Sequence, residues 1–202
     1  MIDKLHSLVK SRLGEKRFLH TLGVVKMADF LGSKCLPEMI EELRYAAYLH
    51  DITKELSDDE QNALLSQCGF VLSDSERLSK PIHHSYTAPI IIARDFPEYA
   101  TENVISAVLK HTVLDADISL FDEIIYVADF IEENRSYKAC VEMRDYVLSS
   151  LSDDMAKNVM LLHKATLKVL DFTLDFIKRN NLFVVDKTLL ARDALERKIK
   201  QI

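Results

Sequence analysis

The chain has 202 residues, of which 48% are hydrophobic and 29% are charged, with only four glycines and four prolines. A β-rich domain of this length would need many more turn-forming residues, so the composition favours a helical protein. The net charge of −6 at pH 7 argues against binding to a nucleic-acid polymer, which requires a basic face, although a metal ion and a few basic side chains can still bind a small phosphorylated molecule.

The apolar side chains repeat with the period of an α-helix through almost the whole chain. This pattern predicts an all-α fold, a single bundle of nine to eleven helices over residues 1–202 with no linker that would separate domains. The expected helices, in chain order, are 2–13, 17–31, 37–50, 57–69, 73–78, 84–96, 101–110, 119–132, 137–148, 152–180 and 186–201.

Several of these boundaries carry helix-capping signals. Gly32 is expected just past the end of the second helix, and Ser57 begins a capping box with Glu60. Pro89 predicts a kink or a late start in the helix 84–96, because proline disrupts a helix interior. On the second helix, the side chains expected to face the core are Leu19, Leu22, Val25 and Phe30.

The cysteines and the apolar segments indicate in which cellular compartment the protein is expected. Cys35, Cys68 and Cys140 are far apart and form no Cys-x-x-Cys pair. Their odd number and the lack of an apolar leader predict reduced thiols in a cytoplasmic protein. No apolar stretch reaches the roughly 18 residues of a membrane-spanning helix, so we expect no membrane partner. The sequence leaves open whether a homodimer forms.

Charged and imidazole side chains interrupt the apolar runs of several predicted helices. His50 and Asp51 close one apolar run, Asp129 interrupts another, and His20 and His111 have similar settings. A carboxylate enters an apolar interior only when a cation or several donors hold it there. These residues therefore suggest a buried metal site where three helices meet.

The donor atoms of this site would be imidazole nitrogens of His20 and His50 and carboxylate oxygens of Asp51 and Asp129. Mixed nitrogen and oxygen donors suit Fe, Mn, Co or Zn better than Ca or Mg, and four protein ligands leave room for a water molecule. Each residue also has a structural alternative. A single histidine on an apolar face is usually a hydrogen-bonded core residue, and Asp129 could be one half of a buried ion pair.

The order of these four residues resembles the H…HD…D signature of the HD-domain metal-dependent phosphohydrolases. Further segments are similar to the YqeK-type subgroup of that family, the symmetrical bis(5′-nucleosyl)-tetraphosphatases. These segments are RFLHT at 17–21, LHDITK at 49–54, His83 ahead of Thr87 and Ala88, KHT at 110–112 and IYVADFIEENR at 125–135. The last segment, together with the His-Thr pair, is the most specific part of the resemblance.

The resemblance implies one HD-type all-α domain with a bound transition metal, iron being favoured, and symmetrical cleavage of diadenosine tetraphosphate into two ADP. The metal ligands that it implies are His20, His50, Asp51 and Asp129. The nucleotide contacts that it implies are Arg17, Lys54, His83, His111, Thr112 and Arg135, and the catalytic candidates among them are Lys54, His83 and His111.

Two basic residues can be interpreted in more than one way. Lys54 lies four residues after His50, one helical turn on, and could face a phosphate or only the dipole of a helix end. Arg135 could bind a phosphate through two hydrogen bonds or form a surface ion pair with Glu132 or Glu133.

Two histidines outside the H…HD…D pattern also have open roles. His83 and His111 could donate to phosphate oxygens, protonate the leaving phosphate or bind a second ion, and local capping is the structural alternative for both. The neighbouring His84 makes the assignment at position 83 ambiguous, and we choose His83 for its distance to Thr87 and Ala88.

Two segments depart from the family pattern. Residues 113–117, VLDAD, stand where glycine and arginine often follow His-Thr, and Glu133 takes the place of a proline. A more acidic loop could alter nucleotide affinity or base preference. The alternative functions are another HD-domain nucleotidase, a cyclic-nucleotide phosphodiesterase and a catalytically inactive nucleotide sensor.

Overall fold

Eleven α-helices form the regular structure of residues 1–201, the part of the chain that this computed structural model describes. Their bounds are α1 (Ile2–Lys10), α2 (Glu15–Cys35), α3 (Ile40–Leu49), α4 (Asp58–Gln67), α5 (Asp74–Leu78), α6 (His83–Asp95), α7 (Glu102–Lys110), α8 (Leu120–Ile131), α9 (Lys138–Ser150), α10 (Met155–Arg179) and α11 (Asp186–Gln201). Three short 3₁₀ turns precede α3, α6 and α7. Since no β-strand occurs in the described range, the predicted all-α fold is confirmed.

Side-chain caps fix several helix starts. Ser57, Ser73 and Ser119 each accept a hydrogen bond from the backbone three residues later, and the acidic residue there bonds back to the serine N–H. These reciprocal pairs satisfy amide groups that a helix start leaves unpaired. Pro89 lies inside a continuous α6 that already begins at His83, so of the two expected possibilities, a kink or a late start, the late start is wrong.

The central helix is α2, which packs against both α3 and α8. The face expected to be buried was misplaced, because Leu19 and Phe30 are 51% and 40% exposed. Spacing by three residues, as in 19, 22 and 25, drifts around a helix of 3.6 residues per turn. The face that α2 buries instead consists largely of smaller side chains and includes Thr21, Val24, Ala28 and Leu31.

Buried side chains from most of the helices form one contiguous apolar core. At one place in it the ends of α3 and α7, the start of α6, the second turn of α2 and the last turn of α8 bring polar side chains together. None of the helices in the described range is long and apolar enough to cross a membrane.

Gly32 lies inside α2, which continues to Cys35, so the expected helix end at Gly32 is wrong. A Cβ atom at this position would lie 2.6 Å from Leu43 Cδ1 on α3. The glycine therefore marks a close approach of two helices and not a helix terminus.

Replacing Gly32 with alanine is expected to lower the free energy of unfolding by about 1–3 kcal/mol, the usual effect of overpacking a core. The higher helix propensity of alanine acts the other way by up to about 1 kcal/mol. Chemical denaturation measures the difference, with the exposed neighbour Ser33→Ala as a control that should unfold like the wild type. Unchanged stability of Gly32→Ala would contradict the close packing of α2 on α3.

Candidate metal centre

The four residues of the H…HD…D pattern come together from three helices. His20 lies inside α2, His50 and Asp51 directly follow α3, and Asp129 lies in the last turn of α8. His20 Nε2 is 3.1 Å from Asp129 Oδ1 and 3.4 Å from His50 Nε2. Asp51 Oδ2 is 3.6 Å from His20 Nε2 and 3.4 Å from His50 Nε2. We name this group of four donor atoms site A.

A second group of metal-binding atoms surrounds the other carboxylate oxygen of Asp51, Oδ1. Asp51 Oδ1 is 3.2 Å from His84 Nε2 and 3.6 Å from His111 Nε2, and these two nitrogens are 3.0 Å apart. His84 belongs to the first turn of α6, and His111 directly follows α7. All three residues are buried. We name this group site B; the two sites share the carboxylate of Asp51.

Backbone hydrogen bonds determine which ring nitrogen faces the sites. The Nδ1–H of His50 donates to Ala47 O at 2.8 Å, and that of His111 donates to Val108 O at 2.6 Å. The tautomer that carries its proton on Nδ1 turns the lone pair of Nε2 inward. His50 Nε2 and Asp51 Oδ2, 3.4 Å apart, are thus two metal-binding atoms that face each other. This donor set fits a divalent metal ion.

Neighbouring groups keep both carboxylates ionised, as a metal ligand requires. Burial acts to raise the pKa of Asp51, but the surrounding histidines hold this pKa well below its usual range. Burial opposes ionisation of Asp129 too, yet a neighbouring guanidinium and His20 hold its pKa well below the usual range. Burial lowers the pKa of His84 to about 4. At His20 burial acts in the same direction, but hydrogen bonds to Asp129 and Glu132 outweigh it and raise the pKa to about 9.

Two arginines contact the carboxylates of the sites. Arg17 Nη1 donates to Asp51 Oδ2 at 2.6 Å, and Arg135 Nη2 donates to Asp129 Oδ1 at 2.5 Å. Arg135 thus pairs with a residue of site A, and not with the neighbouring glutamates considered from the sequence. The Nε atoms of both arginines and the Thr112 hydroxyl, next to His111, are buried without a hydrogen-bond partner among residues 1–201. Since buried polar atoms are rarely unpaired, this arrangement fits a further ligand rich in acceptor atoms.

Lys54 reaches site B from a turn. Because α3 ends at Leu49 and residues 50–55 form turns, Lys54 does not lie one helical turn after His50, as the spacing had predicted. Its Nζ lies 3.2 Å from His84 Nδ1 and donates to Pro81 O at 3.3 Å. Burial lowers the pKa of the Lys54 ammonium.

His84, and not His83, belongs to site B. The Nε2–H of His83 donates instead to Glu76 O at 3.0 Å. Spacing to Thr87 could not separate the two histidines, because residues three and four positions before Thr87 lie on the same side of a helix. Thr53 Oγ1 donates to His84 O at 3.0 Å and holds the start of α6 beside the site. The position expected for His83 is therefore corrected to His84.

Comparison with known proteins identifies the family. The HD domain model matches residues 17–134, a range that contains every donor residue of sites A and B. Because this match covers more than half of the chain, the chain belongs to the HD-domain family. The family and the buried histidine-aspartate cluster together indicate a divalent metal ion.

Relatives within this family are similar over most of their length. The symmetrical bis(5′-nucleosyl)-tetraphosphatase of Halalkalibacterium halodurans is 30% identical over 74% of this chain and 78% of the relative. The Bacillus subtilis protein of the same name is 24% identical over 75% of this chain and 80% of its own. The crystal structure of a Clostridium acetobutylicum protein, described as a predicted HD superfamily hydrolase involved in NAD metabolism, superposes with a TM-score of 0.84 at 28% identity, and the match covers 98% of both chains.

Removing the two adjacent histidines separately distinguishes their roles. His84→Ala should remove a donor of site B and lower the metal content of the protein, whereas His83→Ala should keep the wild-type content. His83→Ala should instead lower the free energy of unfolding by about 0.5–1.5 kcal/mol, the net worth of one hydrogen bond, because the Glu76 carbonyl keeps the backbone N–H of Ser79 as its other partner. Metal analysis and denaturation of both variants test this. The opposite pattern of metal content would restore His83 to the site.

Proposed function

We propose that this protein hydrolyses dinucleoside tetraphosphates symmetrically and converts diadenosine tetraphosphate and water into two ADP. The observation that carries the proposal is the pair of histidine-aspartate groups, which share the buried Asp51 and have Arg17, Lys54 and Arg135 in or beside them. Histidine and aspartate groups of this kind hold cations, and three basic side chains favour a polyphosphate. Two relatives that carry the name of this activity support the assignment of substrate.

Sites A and B are proposed to hold one divalent ion each, with Asp51 as the shared ligand. Iron is the favoured metal, and Mn, Co and Zn are also compatible with mixed nitrogen and oxygen donors. An ion bound there would lower the pKa of a water molecule and polarise a phosphoryl oxygen. In this arrangement His111 is a ligand of site B and not a proton donor, and His83 has neither role.

The phosphate chain is proposed to bind to Arg17, Arg135, Lys54 and Thr112. Each arginine uses one Nη atom to contact a carboxylate, which leaves further donors of the planar guanidinium for phosphate oxygens. Lys54 adds a compact charge. These groups would stabilise the negative charge that grows on the non-bridging oxygens during the reaction.

The reaction breaks the bond between one of the two central phosphorus atoms and the oxygen that bridges them. The oxygen of water forms the new bond to that phosphorus, and the bridging oxygen departs with the other ADP. Lys54 is the proposed proton source for the departing oxygen, because a lowered pKa makes its ammonium a better donor. The product pair is symmetrical only if the site holds ADP on one side of the broken bond.

We also propose a cytoplasmic location. Cys35, Cys68 and Cys140 are all unpaired, as is usual for proteins of a reducing compartment.

Product analysis on protein of measured metal content tests the activity. Diadenosine tri-, tetra- and pentaphosphate, ATP and a cyclic nucleotide would be incubated separately and the products separated by chromatography. We expect ADP as the sole product from the tetraphosphate, with one of every two ADP molecules labelled when the water carries ¹⁸O. AMP plus ATP would indicate asymmetrical cleavage, turnover only of a cyclic or simple nucleotide would indicate another HD-domain hydrolase, and binding without turnover would indicate a sensor.

Substitution of Arg135 or Lys54 by methionine should separate substrate binding from metal binding. Each variant loses charged hydrogen bonds worth about 1.5–3 kcal/mol, so kcat/KM should fall by about 10- to 100-fold while the metal content stays near wild type. Arg77→Met, an exposed arginine paired with Asp74, is the control and should keep full activity. Normal turnover by both site variants would remove Arg135 and Lys54 from the proposed phosphate site.

A further inference from the structure

His20 differs from two other site histidines in its place on a helix. His50 and His111 directly follow the last turns of α3 and α7, where backbone carbonyls lack helical partners, and their Nδ1–H groups use these carbonyls. His20 lies inside α2, where the carbonyls are engaged in helical hydrogen bonds. Its Nδ1–H group therefore needs an acceptor from another part of the chain.

Glu132 supplies that acceptor. Glu132 Oε1 lies 3.2 Å from His20 Nδ1, while Oε2 accepts from the backbone N of Asn134 at 2.7 Å and from its Nδ2 at 3.0 Å. The side chain is 1% exposed. Because both carboxylate oxygens have partners, the orientation of Glu132 against the imidazole is fixed.

Helix α2 has space for this carboxylate at Gly23. Gly23 lies three residues after His20 and so on the same side of the helix. A Cβ atom at Gly23 would overlap with Glu132 Oε2 and lie 2.9 Å from Asn134 Nδ2. Glycine inside a helix is destabilising relative to alanine, and the space needed by Glu132 accounts for its presence here.

The turn that carries Glu132 is also held from its other side. Arg144 of α9 donates to the backbone oxygens of Ile131, Glu132 and Arg135. These carbonyls lie at and just beyond the end of α8, where helical partners are missing. The position of Glu132 is therefore set by the backbone as well as by its side-chain partners.

We propose that Glu132 is a positioning residue of site A, which holds the ring of His20 with Nε2 directed to the metal and increases the affinity of that nitrogen for a cation. A carboxylate that accepts from a metal-binding imidazole typically contributes about 10- to 100-fold in metal affinity. A carbonyl acceptor, as at His50 and His111, carries no full charge. The inference rests on the metal centre of the proposed function.

The main test is Glu132→Gln in a His84→Ala background, in which site A alone keeps its full donor set. Glutamine preserves the size of the side chain, but its single amide oxygen cannot accept from both His20 and Asn134. Calorimetric titration of the metal-free protein with Co²⁺ should show affinity reduced by about 10- to 100-fold. Glu133→Gln removes the same charge from an exposed neighbour paired with Lys26 and should bind Co²⁺ like the parent.

A second variant addresses the geometry without removing the charge. Gly23→Ala should displace Glu132 and weaken Co²⁺ binding in the same direction. Gly32→Ala, on the same helix, disturbs packing against Leu43 and should leave Co²⁺ affinity unchanged. Comparing Gly23→Ala with Gly32→Ala separates loss of stability from loss of the contact between Glu132 and His20. This comparison tests the role of Glu132 even if Glu132→Gln does not fold.

Parent-like Co²⁺ affinity in Glu132→Gln would overturn the proposal, as would equal losses in Gly23→Ala and Gly32→Ala. His20→Ala, titrated in the same background, separates this failure from that of the metal centre itself. If His20→Ala binds Co²⁺ like the parent, site A of the proposed function is wrong. If His20→Ala loses the ion and Glu132→Gln keeps it, only the role of Glu132 is wrong.

Discussion

The buried carboxylate of Asp51 is the constraint around which the rest of the structure is arranged. An ionised carboxylate in an apolar interior is destabilising unless cations or donors surround it. Asp51 has the guanidinium of Arg17 on Oδ2 and imidazole nitrogens around both oxygens, where a cation would complete the compensation. These groups come from α2, the end of α3, the start of α6 and the end of α7. These neighbours, between 2.6 and 3.6 Å away, are Arg17, His20, His50, His84 and His111. The helices must therefore meet at this point, and because α3 ends just before Asp51, its carboxylate can face both sites.

The two sites differ in how far their side chains are open to solvent. Side chains of site B such as His84 and His111 are 1% exposed, whereas His20 and Asp129 of site A are 12% and 15% exposed. The arginines that contact the carboxylates are more exposed still. A phosphorylated substrate would thus approach from the side of site A. His20, which the Glu132 carboxylate orients, lies on the side of this opening. His111, which a backbone carbonyl orients, lies in the interior.

The sequence predicted most of the fold because periodicity and capping are local properties. Eleven helices lie close to their expected ranges, and the residues picked out by the H…HD…D order are those of site A. The errors concern packing between elements. Gly32 is a residue type typical of a helix end, but it marks the place where two helices cross. The choice between His83 and His84 depends on which of the two neighbouring side chains faces α7. Gly23 was the one local sequence signal for the contact of Glu132 with His20, since a glycine inside a helix near a metal ligand indicates that another group approaches closely.

The segments that depart from the family pattern change the charge near the site less than their composition suggests. Glu133, in place of a proline, forms an exposed ion pair with Lys26 at 2.5 Å. In the loop 113–117, Asp117 pairs with Lys110 at 3.0 Å. Two of the additional acids are thus neutralised by lysines close to them. Asp115, which accepts from the backbone N of Ala116 at 2.6 Å, has no lysine or arginine partner among the described residues. An electrostatic effect of this loop on nucleotide binding therefore has to come mainly from Asp115.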